Sequence, residues 1–181
     1  MTTAFVLLSL AAFAWAVWIY NRLVRDRNLT LASWSDIGVQ LKRRHDLVPK
    51  LVDAVRAYAT YESARLEEVT RLRAEALAAT RPGEAARAER SLGARLAQVI
   101  AIAEAYPDLK ASANFVALQQ ELGETEDQLA FARQYYNDAA ASLNTAVATF
   151  PWMVFSGMAA VHKREFYEAP DAHQAPPQVA F

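Results

Sequence analysis

Phe115, Leu122, Leu129, Tyr136, Leu143 and Phe150 recur every seven residues, with Leu118, Thr125, Ala132, Ala139 and Ala146 at a second seam position between them. A seven-residue period on a 3.6-residue helix keeps one narrow face against a partner, as in a coiled coil. The spacing predicts one long helix from Leu109 to Phe150, ended by Pro151, whose ring cannot continue it. The small residues of the second seam let a neighbouring helix approach closely. Such a seam needs further helices to cover it. With 5 Gly in 181 residues and with Ala, Leu, Glu, Arg and Gln dominant, the rest of the chain can supply them. The fold class is all-α, and the length suffices for one domain with a real core.

Residues 3–20, TAFVLLSLAAFAWAVWIY, carry no charge. At 1.5 Å per residue they span about 27 Å, close to a hydrocarbon core. Trp15, Trp18 and Tyr20 lie toward the C-terminal end, where an aromatic belt would sit, and Arg22, Arg25 and Arg27 follow. This reads as an uncleaved single-pass anchor, residues 1–21, with its N-terminus outside and the following chain cytoplasmic. A cleaved signal peptide and the opposite topology are the alternatives. Ala12-Phe13-Ala14 and Ala14-Trp15-Ala16 offer small-x-small triplets, but the opening Met-Thr-Thr lacks a basic n-region.

Beyond the anchor, residues 22–168 read as a helical bundle. Trp34, Ile37, Leu41, Val48, Leu51, Val55, Tyr58, Leu66 and Val69 keep helical phase. Pro49 interrupts this stripe: it cannot donate to the carbonyl of His45, and its ring crowds that turn. A kinked continuous helix and two helices with a short corner both fit. Pro82-Gly83 marks the clearest loop. A helix from about Glu84 to Ala105 follows, with Leu92, Leu96, Val99 and Ala103 on one face, and Pro107 ends it. The segment from Pro151 to Glu168 reads as a short final helix, and residues 169–181 as a disordered proline-rich tail.

The chemistry expected of an enzyme is missing. His45, His162 and His173 have no metal-binding spacing, no Gly-rich phosphate loop occurs, and no serine sits in a nucleophile elbow. The acidic pairs read as helix-surface charge, and a di-iron bundle would need Glu-x-x-His motifs that the helices lack. With no cysteine, disulfides and Cys-ligated zinc are excluded. A net charge of −1 gives no general attraction to nucleic acid. No cofactor, metal or small-molecule substrate is expected.

The run Lys42-Arg43-Arg44 admits three readings. Three neighbours on a helix cannot share a face, so they can be ordinary solvated charge. They can meet anionic lipid, although residue 43 lies about 35 Å along a straight helix from Tyr20, several Debye lengths away. Or they can pair inside the bundle. Glu126, Arg133 and Asn137 flank the heptad seam on one stripe and could meet Gln40, Arg43 or Arg44 across the interface, setting register. Trp152, Phe155 and Met158 form a candidate contact surface, or else pack across the bundle end.

The strings QLKRRHDLVPKLV, EAYPDLKAS and FVALQQELGETEDQLAFARQYYN, together with Phe150-Pro151 behind an N-terminal anchor, resemble the LemA family over roughly Tyr20 to Glu168. The resemblance implies a membrane-anchored, antiparallel up-and-down helical bundle of a bacterium, with the N-terminus outside and no enzyme activity. One branch of that family resembles proteins of magnetosome membrane formation, and some members occur beside membrane metalloprotease systems. Gly38 stands where the family more often has a larger, polar or acidic residue. The expected function is a self-associating scaffold at the membrane. A membrane-remodelling or lipid-sensing protein, and an adaptor for a membrane protease or transport system, are the alternatives.

Overall fold

A computed structural model describes residues 1–167. It contains helices α1 (Thr2–Arg56), α2 (Ser63–Ala78), α3 (Pro82–Ala103), α4 (Pro107–Lys110), α5 (Ala113–Ala148) and α6 (Trp152–Ser156), with a 3-10 turn at Thr60–Glu62. No strand occurs among the described residues. The expected tail, residues 169–181, lies outside them.

The chain runs up and down. α1 and α5 are antiparallel partners: Thr30 reaches the carbonyl of Ala139, Arg44 meets Glu126, and Val48 shares a core with Phe115. α2 returns alongside α1, and α3 runs outward again. α2 has only 16 residues, so the α2–α3 hairpin covers only the distal half of α1. Toward the N-terminus α1 and α5 continue with less company.

Three core clusters follow from this. The distal one joins α1, α2, α3, α4 and the start of α5 through Leu51, Leu66, Leu92, Leu109 and Phe115. The middle one joins Ile37, Leu129, Tyr136 and Ala140 with Ala85, Ala86 and Tyr167. The proximal one holds Ile19, Leu23 and Leu143 against Ala159 and Val161. Of the first seam, Phe115, Leu122, Leu129, Tyr136 and Leu143 lie in or against these cores, whereas Phe150 is exposed, because α5 stops at Ala148 before the last repeat.

α1 is unbroken for 55 residues with Pro49 inside it, so Pro49 makes no corner. The stripe from Trp34 to Val69 is divided elsewhere, at residues 57–62, where the chain turns back into α2. The carbonyl of His45, which cannot receive a bond from Pro49, accepts one from the Arg73 Nε–H of α2 at 2.7 Å. A neighbouring helix therefore supplies the missing donor, and the helix continues through the proline.

The last helix is shorter than the sequence suggests, covering Trp152–Ser156 only. Ala160 adopts a left-handed φ of 48°, rare for a residue with a side chain. There the chain turns into an extended strap, residues 161–167, that runs back along α5. Asn144 clasps it in both directions at Arg164: its amide donates to the carbonyl at 2.9 Å, and its carbonyl oxygen accepts the backbone N–H at 2.7 Å. Tyr167 at its end is fully buried, beside Trp34.

Candidate functional site: a charged network inside the bundle

Midway along α1 the apolar stripe steps from Leu41 directly to Val48. Arg44 and His45 fill that gap, and both are buried. Opposite them on α3, Glu89 continues the stripe that holds Ala85, Ala86, Leu92 and Leu96 and is 2% exposed. His45 Nε2 lies 2.5 Å from Glu89 Oε1, and Arg44 Nε lies 3.9 Å from Glu89 Oε2. The latter oxygen has no hydrogen-bond partner among the described residues. The Arg44 guanidinium reaches across to α5, where Nη1 donates to Glu126 Oε2 at 2.5 Å. Glu126 also receives Arg133 at 3.4 Å. The Arg133 guanidinium carbon stands 5.2 Å from the centre of the Tyr167 ring, a cation–π distance. Asn137 closes the series by accepting the backbone N–H of Tyr167 at 2.9 Å.

The network thus runs from α3 through α1 and α5 to the C-terminal strap. Each link has a local cause. Gly93, one turn beyond Glu89, leaves room for Arg44: a β-carbon there would stand 3.0 Å from Arg44 Nη2. The Tyr136 phenol, raised above its ordinary range by burial, stays protonated and donates to the carbonyl of Glu165 at 2.7 Å. Glu126 is about half exposed, so its pairing with Arg44 is worth less than the Glu89 contacts.

Of the residues singled out from the sequence, the structure brings together Arg44, Glu126, Arg133 and Asn137. Lys42 and Arg43 stay apart on the exposed surface. Gln40 does not join: its buried Oε1 has no hydrogen-bond partner among the described residues. His45, Glu89 and Arg73 belong to the network, although their spacing alone does not mark them. The signal for Glu89 and His45 is a charged or polar residue standing in phase with an apolar stripe. Trp152 and Phe155 pack against the proximal core, whereas Met158 is exposed.

Chemically the arrangement is a set of mutually paired charges held between three helices. Among the described residues no three His, Asp or Glu side chains gather as a metal-ligand set. A cavity of about 320 Å³ lies beside the strap, lined in part by Trp34, Arg81, Tyr136 and Lys163. An open groove of about 810 Å³ runs along α1 past Trp34, Val39, His45 and Leu77.

Comparison with known proteins places this bundle. Residues 33–181 match the model of the LemA family. The chain is 30% identical over 134 residues to Protein LemA of Metamycoplasma hominis, an alignment that covers 72% of this chain and 60% of that protein. It is 24% identical over 200 residues to Magnetosome protein MamQ of Magnetospirillum gryphiswaldense, covering 96% of this chain and 74% of that one. The same 24% identity holds over 196 residues with Magnetosome protein MamQ 2 of Paramagnetospirillum magneticum, covering 93% and 72%.

Proposed function

The chain belongs to the LemA family, and from that premise we propose that it is a non-enzymatic scaffold that stands on a membrane and self-associates there. One observation carries the reading. The helix whose first residues are apolar and exposed is the same helix whose later residues form the bundle core. Its apolar window has a mean hydropathy of 1.9 and is 6% buried, long and apolar enough to cross a membrane. A bundle joined to its anchor without a linker keeps a set height above the bilayer and a fixed direction relative to the anchor helix, which suits a scaffold. Arg22, Arg25 and Arg27 favour a cytoplasmic bundle and an outside N-terminus.

The lipid-sensing reading through Lys42 and Arg43 is weaker. On an unbroken α1 these cations stand roughly 33 Å or more beyond Tyr20, and surface charge is screened within about 8 Å at physiological salt.

The test is made in intact bacterial membranes. Because the chain has no cysteine, Tyr61→Cys at the exposed distal turn can report sidedness with an impermeant maleimide. Protection in intact cells and labelling after lysis are expected; labelling in intact cells would reverse the topology. Amine cross-linking of the wild-type chain in the same membranes should yield discrete multimers. A strictly monomeric product would remove the scaffold reading, and a single foreign protein in place of multimers would favour the adaptor.

A further inference from the structure

The bundle does not begin where the apolar run ends. Trp18 and Ile19 belong to the last turn of that run, yet the Trp152 ring of α6 lies 5.4 Å from the Trp18 ring. Ile19 is fully buried in a cluster with Leu143, Ala159 and Val161. The end of α5 and the whole of α6 therefore stand at the depth of the anchor's last turn. Around these contacts, Phe150, Met153, Val154 and Met158 are 78%, 53%, 60% and 76% exposed. Nothing among the described residues covers them.

The charge pattern identifies what does. From Ala139 to Val161 the chain contains no Asp, Glu, Lys, Arg or His. Cations return directly afterwards at exposed Lys163 and Arg164, and on the anchor side at exposed Arg22 and Arg25. Both chain segments thus show the same order, apolar and aromatic first and cationic next, moving away from the anchor. That order matches a bilayer interface, with apolar side chains at the acyl boundary and cations among the headgroups.

We propose that the turn from Phe150 to Met158 is a second membrane contact, a foot that seats in the interface of the leaflet from which the anchor emerges. This rests on the reading of residues 3–20 as a membrane anchor. A single span can tilt in the bilayer and carries the bundle with it as one body; a second contact at the end of α5 fixes that tilt. Trp152 and Phe155 tie the foot to α1, and Phe150, Met153, Val154 and Met158 face lipid.

The test uses the full chain in vesicles of phosphatidylcholine and phosphatidylglycerol. Single cysteines at Met153, Val154, Leu10 and Tyr61 carry a nitroxide, and accessibility to oxygen and to a water-soluble nickel chelate is measured. At Met153→Cys and Val154→Cys the label should be open to oxygen and closed to nickel, as at Leu10→Cys, while Tyr61→Cys should be open to nickel. Nickel access at 153 and 154 with Leu10→Cys still lipid-like would overturn the foot and leave the anchor standing. Low access to both reagents at 153 and 154 would mean a protein cover, a second copy or a partner, and would equally overturn it. Nickel access at Leu10→Cys would overturn the anchor, and the foot with it. All four sites are exposed in the fold, and each labelled variant is retained only if its thermal unfolding matches wild type.

Discussion

The distal and middle parts of the bundle solve the same packing problem differently. In the distal core α1, α2, α3 and α5 all contribute, and Leu51, Leu66, Leu92 and Phe115 close it with apolar atoms alone. In the middle the α2–α3 hairpin runs out, and the chain places Arg44, His45 and Glu89 in phase with its apolar stripes. An apolar core tolerates any sliding that keeps it filled. A buried charge tolerates only the alignment that sets its partner opposite. The difference suggests that the distal core supplies most of the stability, while the charged layer selects one register of α1, α3 and α5.

The largest expected effect tests that division. Arg44→Met leaves Glu89 buried with His45 as its remaining partner, and should cost about 3–5 kcal/mol in chemical denaturation. Leu92→Ala in the distal core should cost a comparable amount, about 3 kcal/mol. The two sites part on rescue. Adding both Glu89→Leu and His45→Leu to Arg44→Met should recover much of the loss, since an apolar layer of similar volume is often as stable as the ions it replaces. A triple variant as unstable as the sum of the singles would show that the layer acts as ordinary packing.

A middling effect concerns the proline. Arg73→Met should leave the His45 carbonyl without a donor and cost about 1–3 kcal/mol. Pro49→Ala restores a backbone donor to that carbonyl, so it should reduce the cost of Arg73→Met in a double-mutant cycle. An Arg73→Met cost that is the same with and without the Pro49→Ala substitution would sever the link between Arg73 and the proline.

The smallest effect compares two glycines. A β-carbon at Gly123 meets nothing within 4 Å, so Gly123→Ala should stabilise by about 0.5–1 kcal/mol through helix propensity. At Gly93 the same substitution crowds Arg44 Nη2, and the gain should shrink or change sign. Equal gains at both sites would mean that Arg44 is not held in place by Glu89 and Glu126.

Much of the fold was legible in the sequence. The heptad of α5 and the break before Pro107 are local signals, and each lies near its expected place; the loop expected at Pro82-Gly83 falls just before them, at residues 79–81, because Pro82 opens α3 in its first turn. The turn at residues 57–62 was not legible, because Arg56 to Ser63 contains no Gly or Pro and the apolar stripe passes through in phase. Ala59 is buried there, so tertiary packing overrides a locally helical sequence. Pro49, the obvious breaker, fails to break because its remedy comes from Arg73 on another helix. Spacing on α5 placed Glu126, Arg133 and Asn137 on one stripe, and α1 offered Arg44 as a possible partner. Glu89 sits on a helix whose register against α1 no local pattern specifies, so its meeting with His45 became visible only in three dimensions. The strap was hidden for the same reason: its hydrogen bonds to α5 run through Tyr136, which reads as a seam residue, and through Asn137 and Asn144, single polar residues that look like surface positions in the sequence.

The claim on which the rest depends is that anchor and bundle are one rigid body, joined by an uninterrupted α1. Nitroxides at Leu7→Cys and Val39→Cys, both exposed, allow a pulsed dipolar measurement in vesicles. A continuous helix predicts a single narrow distance distribution near 48 Å, from roughly 32 steps of about 1.5 Å. A broad distribution, or a peak well short of that length, would place a hinge between anchor and bundle and contradict the account.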